Sequence, residues 1–182
     1  TFQGVRPALF NFNASGTPGG HADFDNYTVE EPRARGIERE IPVGKTIVLS
    51  SGADGSVLTA DLRNSALIST AVDATGAASP NARFRVVDVG LGRVALSASD
   101  GRFVSVEKEN TILKKLENGR PGNAESFQWV NLMRGDTMLM SLTNHRYLAS
   151  PPDVPGRGTV TSLGATAARK SGAEFKWKAM EK

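Results

Sequence analysis

Cysteine is absent from the 182 residues. Its absence removes disulfide scaffolds, thiolate-ligated zinc, thiol nucleophiles and dithiol redox chemistry. It does not fix the compartment. Histidine is nearly absent: His21 and His145 are the only two, with no His-x-x-x-His spacing, so neither a metal nor any other cofactor is expected. No apolar run approaches the roughly 20 residues that a membrane-spanning helix needs, and no membrane partner is expected. The opening "TFQGVRPALF" lacks a basic segment followed by an apolar core and is not a signal peptide. The chain is therefore expected to start as a cytosolic protein or partway through a longer one. An excess of one charge is also lacking. Lys and Arg number 22 against 19 Asp and Glu, and the densest basic stretch, Lys108 to Arg120, carries Glu109 and Glu117. That stretch reads as solvated strand and loop rather than a phosphate-binding track, so no nucleic acid is expected.

Helical periodicity is poor as well. Apolar residues alternate, and Gly, Pro, Asn, Asp and Ser break the chain every few positions, which argues for all-β structure. The strand-like segments repeat. Ile47-Val48-Leu49-Ser50 aligns with Val94-Ala95-Leu96-Ser97 and Met138-Leu139-Met140-Ser141. Each is followed by a turn, Asp54-Gly55-Ser56, Asp100-Gly101-Arg102 and Asn144-His145-Arg146. Asp-Gly tolerates the positive φ of a tight hairpin, and Asn-His is a weaker version of it. Returning strands follow at Val57-Leu58, Phe103-Val104 and Tyr147-Leu148. Third strands are expected at Ala66-Leu67-Ile68, Thr111-Ile112-Leu113 and Gly158-Thr159-Val160, and fourth strands around Phe84, Phe127 and Phe175.

Leu49 to Leu96 is 47 residues and Phe84 to Phe127 is 43, so the length differences fall in loops. Three four-stranded units that cannot each bury an apolar face alone can do so around a pseudo-threefold axis. The expectation is a β-trefoil over residues 41–182, a six-stranded barrel capped by three hairpins, with repeats at about 41–90, 91–134 and 135–182. Trp129 and Trp177 occupy the slot that Val86 fills in the first repeat, and core packing is preferred to sugar stacking. Residues 1–40 do not fit the repeat. They hold two strands, Ala8 to Phe12 and Ala22 to Val29, and a charged Pro/Gly linker, and two strands without a sheet are marginal in water.

No catalytic constellation is evident. Asp23 and Asp25 lie two apart on one strand face, which does not supply the cleft-flanking carboxylates of glycoside hydrolysis. Ser50, Ser97 and Ser141 recur without a base that recurs beside them. Gly44-Lys45-Thr46 lacks the preceding glycine of a phosphate loop. Arg134-Gly135-Asp136 reads as a turn between repeats. The candidate binding residues are those of the hairpin turns: Asn144, His145, Arg146 and Tyr147 in the third repeat, and Asp100, Arg102 and Phe103 in the second. Each set offers an aromatic face beside planar polar groups, which is what a sugar ring requires. The competing reading is that Tyr147 and Phe103 cap the barrel while Asp and Asn shape the turns.

"GRFVSVE", "NHRYLAS" and "ESFQWVNL" resemble the fascin-like branch of the β-trefoils. The ricin-type branch carries Gln-x-Trp in each repeat, whereas this chain has Phe127-Gln128-Trp129, so that sugar site is not transferable. "ALFNFNASGTPGGHADFDNYTVEE" resembles the last strands of the concanavalin-like sandwich found in glycoside hydrolase family 43 enzymes. The phrase Gly-Gly-x-x-Asp-Phe-Asp-x-Phe is represented by Gly19 to Tyr27. The resemblance implies that residues 1–40 are a β-hairpin remnant of a neighbouring β-sandwich. It also implies a non-catalytic accessory module of a secreted, extracytoplasmic bacterial polysaccharide-degrading enzyme. Its partners would be a polysaccharide or oligosaccharide and an adjacent catalytic or sandwich domain. The alternative is a structural spacer or a fascin-like protein-interaction module.

Overall fold

The computed structural model describes residues 40–71, 79–132, 135–150, 157–159, 161–163 and 172–180. The chain divides into two units, Thr1–Arg33 and Ala34–Lys182. The expected N-terminal hairpin, with His21, Asp23 and Asp25, lies outside the described residues, as do Arg134 and Val160.

Thirteen strands are described, and no α-helix among them. The first repeat holds β1 (Thr46–Ser51), β2 (Val57–Asp61), β3 (Ala66–Thr70) and β4 (Phe84–Gly90). The second holds β5 (Arg93–Ser97), β6 (Phe103–Glu107), β7 (Asn110–Lys114) and β8 (Phe127–Asn131). The third holds β9 (Thr137–Ser141), β10 (Tyr147–Ala149), β11 (Arg157–Thr159), β12 (Thr161–Leu163) and β13 (Phe175–Ala179). Antiparallel pairing runs β1–β4–β5–β8–β9–β13 and returns to β1. That circuit closes a six-stranded barrel with no free edge, the arrangement that protects strands from intermolecular pairing. The hairpins β2–β3, β6–β7 and β10–β12 form the cap. They join one another through β3–β7, β7–β12 and β11–β3. This is the expected β-trefoil. In the third repeat β11 pairs with β3, whereas β12 pairs with β10 and β7.

Period-two alternation places one layer of side chains inside. Phe84, Phe127 and Phe175, one from each repeat, are all 0% exposed. Above them Leu49, Leu96 and Leu139 are buried, and Leu58, Val104 and Leu148 fill the cap. Trp129 is buried in the same cluster and Trp177 packs against it. The two indoles meet edge to face, with centroids 6.4 Å apart and an interplanar angle of 73°, the geometry that aromatic quadrupoles favour. The Trp129 indole N–H donates to the Asn131 side-chain oxygen at 2.9 Å, so its burial leaves no unsatisfied donor. Trp129 is a core residue, as expected, and Trp177 is partly buried against the same core.

One expectation is corrected. Trp129 pairs with Leu139 as Val86 pairs with Leu96 and Trp177 with Leu49. The counterpart of Ser50 and Ser97 in the third repeat is therefore Met140, not Ser141. Ser141 instead matches Ser51 and Ala98: their N–H groups donate to Arg146, Ser56 and Arg102 carbonyls, closing the three hairpins alike. Met138, Leu139 and Met140 are consecutive apolar residues, so alternation cannot pin the register there, and a one-residue slip exchanges the two faces.

Candidate functional site at the hairpin turns

The three turns share one construction. In each, a side-chain oxygen accepts the backbone N–H two residues on: Asp54 from Ser56 at 2.9 Å, Asp100 from Arg102 at 3.1 Å and Asn144 from Arg146 at 3.0 Å. The intervening residue is left-handed in all three, with φ of 76° at Gly55, 83° at Gly101 and 55° at His145. Glycine adopts this conformation without a Cβ penalty, whereas histidine does so at a cost of about 1 kcal/mol.

The second-repeat set is occupied by the protein itself. The Arg102 guanidinium donates to the Asp100 carboxylate at 2.6 Å, to the Ser65 hydroxyl at 2.8 Å and to the Leu62 carbonyl at 2.8 Å. It thus clasps the β2–β3 turn of the preceding repeat. Phe103 is buried. Asp100, Arg102 and Phe103 are brought together as expected, but as a clamp between repeats. The third repeat makes the equivalent clasp: the Asn144 amide donates to the Lys108 carbonyl and Arg146 to the Glu109 carboxylate, in the β6–β7 turn. Leu62, Ser65, Lys108 and Glu109 carry no sequence signal for this role, because they lie some 36 to 40 residues from the groups they bind. In the first repeat a chain of hydroxyls does similar work. Ser56 donates to Asp54 at 2.6 Å and accepts from Ser69 at 2.6 Å, and it lies 3.4 Å from Ser150.

Two third-repeat groups are not absorbed by the clasp. His145 is exposed where the other repeats have glycine. Tyr147 is half-buried where Val57 and Phe103 are buried, and rests on the small cluster of Met138, Ala149 and Ala173. The threefold pattern is therefore broken at one turn, and the replacement presents an imidazole to solvent beside a half-buried tyrosine.

Three turn carboxylates carry the electrostatic signature of this design. Burial pushes Asp100 upward, but the Arg102 backbone N–H, its guanidinium hydrogen bond and its charge outweigh it and hold the carboxyl below its ordinary value. Asp54 is likewise raised by burial and held lower by the Ser56 and Ser51 hydroxyls and the Ser56 N–H. Asp61 is lowered first by the Asn64 side-chain amide and then by the Asn64 backbone N–H. Each folded pKa lies below its unfolded value of about 3.9, so the stabilisation is complete above that pH and is lost as pH falls through the folded values. Thermal melts should accordingly be flat from about pH 7 to 5 and drop below about pH 4. Asp100→Asn and Asp61→Asn variants should show a shallower acid drop, and an unchanged acid slope would remove these turns as its cause.

Among the described residues no group of three or more His, Cys, Asp or Glu is placed to hold a metal ion, and no helix is long and apolar enough to cross a membrane.

No protein-family model and no curated protein matches the chain by sequence. Solved structures match it by fold. The designed threefold-symmetric protein ThreeFoil superposes with a TM-score of 0.62 at 17% identity, covering 72% of this chain and 96% of its own. The GlcNAcα1-4Gal-releasing endo-β-galactosidase from Clostridium perfringens gives 0.63 at 11% identity over 75% of this chain, which spans 33% of that enzyme. SeviL, solved bound to asialo-GM1 saccharide, gives 0.57 at 13% identity, covering 74% of this chain and 96% of its own. At these identities the likeness is one of β-trefoil fold.

Proposed function

We propose that this chain is a carbohydrate-binding module whose primary contact is the third-repeat turn, His145 and Tyr147. The observation that carries the reading is the departure from threefold symmetry there. An exposed histidine occupies a left-handed position that glycine fills in the other repeats, and backbone strain retained at one of three equivalent positions points to function. Tyr147 supplies an aromatic surface for a pyranose face, and Asn144 and Arg146 hold the turn rigid through their bonds to the neighbouring repeat. A fixed turn limits the ordering cost of binding. The saccharide in the SeviL structure and the glycan substrate named for the endo-β-galactosidase support sugar as the ligand class.

The fuller form of the proposal is an accessory module of an extracytoplasmic polysaccharide-degrading enzyme, with residues 1–40 belonging to a neighbouring sandwich domain and 41–182 to the trefoil. It rests on the resemblance of Gly19 to Tyr27 to the family 43 sandwich. Weak contacts that tether a catalytic domain to its polymer act by raising effective concentration. A spacer that binds nothing is the second reading, favoured by the consumption of Arg102 and Phe103 in packing.

The deciding experiment is a glycan array with the wild-type chain, His145→Gly and Tyr147→Phe. His145→Gly should bind glycan at least about tenfold more weakly while leaving stability equal or raised by up to about 1 kcal/mol, since glycine relieves the left-handed strain. Loss of stability with binding intact would make the turn a structural element. Silence of the wild type across the array would favour the spacer.

A further inference from the structure

We infer that the outer face of the barrel at β13, β1 and β4 is a separate binding surface for an acidic polysaccharide, one bearing sulfate or carboxylate groups. Lys176 and Lys178 alternate with the inward Phe175 and Trp177, and both lysines are exposed. They stand opposite Ser50 and Val48 of β1. On the other side of β1, Arg85 stands opposite Thr46 and is exposed. Arg83, extended and two residues upstream, is exposed on the same face. With strands about 4.8 Å apart and about 6.7 Å between alternate residues, four cations occupy a patch of roughly 10 by 13 Å.

Among the described residues none of the four forms an ion pair, whereas Arg102, Lys114 and Arg146 all do. Of the described acids on these strands and beside them, Asp88 accepts the Gly90 N–H at the far end of β4, and Glu174 is buried. Four like charges held together repel, and an anionic polymer relieves that repulsion while releasing counterions.

The surrounding chemistry selects a glycan over other polyanions. Thr46 and Ser50 lie among the cations and offer hydroxyls to sugar hydroxyls. Single-stranded nucleic acid is held by cations combined with exposed stacking aromatics, and the aromatics of β13 and β4 face the opposite way, into the barrel. An anionic membrane needs apolar anchors beside the charge, and the large apolar side chains exposed among the described residues are Val43 and Leu91. Neither is on β13 or β1, nor within β4.

The test is affinity electrophoresis of the full chain through gels containing dextran sulfate, polygalacturonate or neutral dextran, with poly(dT) and phosphatidylserine vesicles as competitors. Retardation by either acidic polymer and not by neutral dextran is expected. Lys176→Glu with Lys178→Glu, and separately Arg83→Glu with Arg85→Glu, should each weaken it about tenfold at about 50 mM salt, and the wild-type effect should fade steeply by about 200 mM. Lys115→Glu, at an exposed lysine outside the patch, should leave it unchanged, and the two charge-reversed pairs should keep the neutral-glycan binding that His145→Gly loses, so failure here is distinguishable from failure of the turn as a sugar site. Unaltered retardation in both charge-reversed pairs would overturn the inference, as would no retardation by either acidic polymer, or competition by poly(dT) or vesicles as strong as that by free dextran sulfate. Circular dichroism of the variants separates lost binding from lost folding.

Discussion

Phe127→Ala should destabilise the protein by about 3 to 5 kcal/mol, with Phe84→Ala and Phe175→Ala close to it. The three rings are each 0% exposed and are contributed by the closing strands of the three repeats. Deleting one removes its transfer free energy and leaves a cavity on the pseudo-threefold axis. A closed barrel cannot shrink around that cavity without breaking the strand pairing on both sides, here β5–β8 and β8–β9. A domain of this size has a total stability of about 5 to 15 kcal/mol, so one such change consumes a large part of it. Urea unfolding should show a much lower midpoint with an unchanged slope. A loss below about 1.5 kcal/mol would mean that the barrel collapses onto the hole, contrary to a core held rigid by closure.

Gly172→Ala should be comparably severe for a different reason. Gly172 has φ of 70°, and a Cβ there would sit 1.8 Å from the Ser150 carbonyl oxygen and 2.9 Å from its carbon. Its carbonyl accepts the Ser150 N–H at 2.9 Å, so the two backbones are bonded at closest approach. Left-handed strain alone costs about 1 to 2 kcal/mol, and displacing Ser150 adds the loss of that bond and of the packing of β10. A total above about 3 kcal/mol is expected. Gly101→Ala is the control: its φ is 83° but nothing lies within 4 Å of the added Cβ, so only the conformational term of about 1 kcal/mol should appear. Equal losses in the two variants would show that strain, not the close approach, governs Gly172.

Much of the architecture was legible because two signals agreed. Alternating apolar residues around Phe84, Phe127 and Phe175 marked inward faces, the serine after Leu49 and Leu96 matched those two repeats to each other, and the Asx-Gly or Asx-His turns marked the reversals between them. The third repeat was harder at both ends of β9–β12. Three consecutive apolar residues, Met138 to Met140, left register undetermined, and Ser141 offered a false match to Ser50 and Ser97. The candidate turns were found for the same reason that limits them: Asp100 and Asn144 are conspicuous because they build turns. That Arg102 points back to Leu62 and Ser65, and Arg146 to Glu109, depends on how one repeat leans on the next.

The amino-acid sequence alone determined the all-β class, the threefold repeat, the turn positions and the packing of both tryptophans on the core side of their strands. Those properties follow from periodicity and local backbone preference, which act over a few residues. Tertiary structure decided the rest. Barrel closure sets β1 between β4 and β13, and so gathers Arg83 and Arg85 of the first repeat with Lys176 and Lys178 of the third. The packing of neighbouring repeats turns Arg102 into a clamp and leaves His145 at the surface. Charge clusters and clasps of this kind depend on which strands become neighbours, and strand alternation carries no information about that.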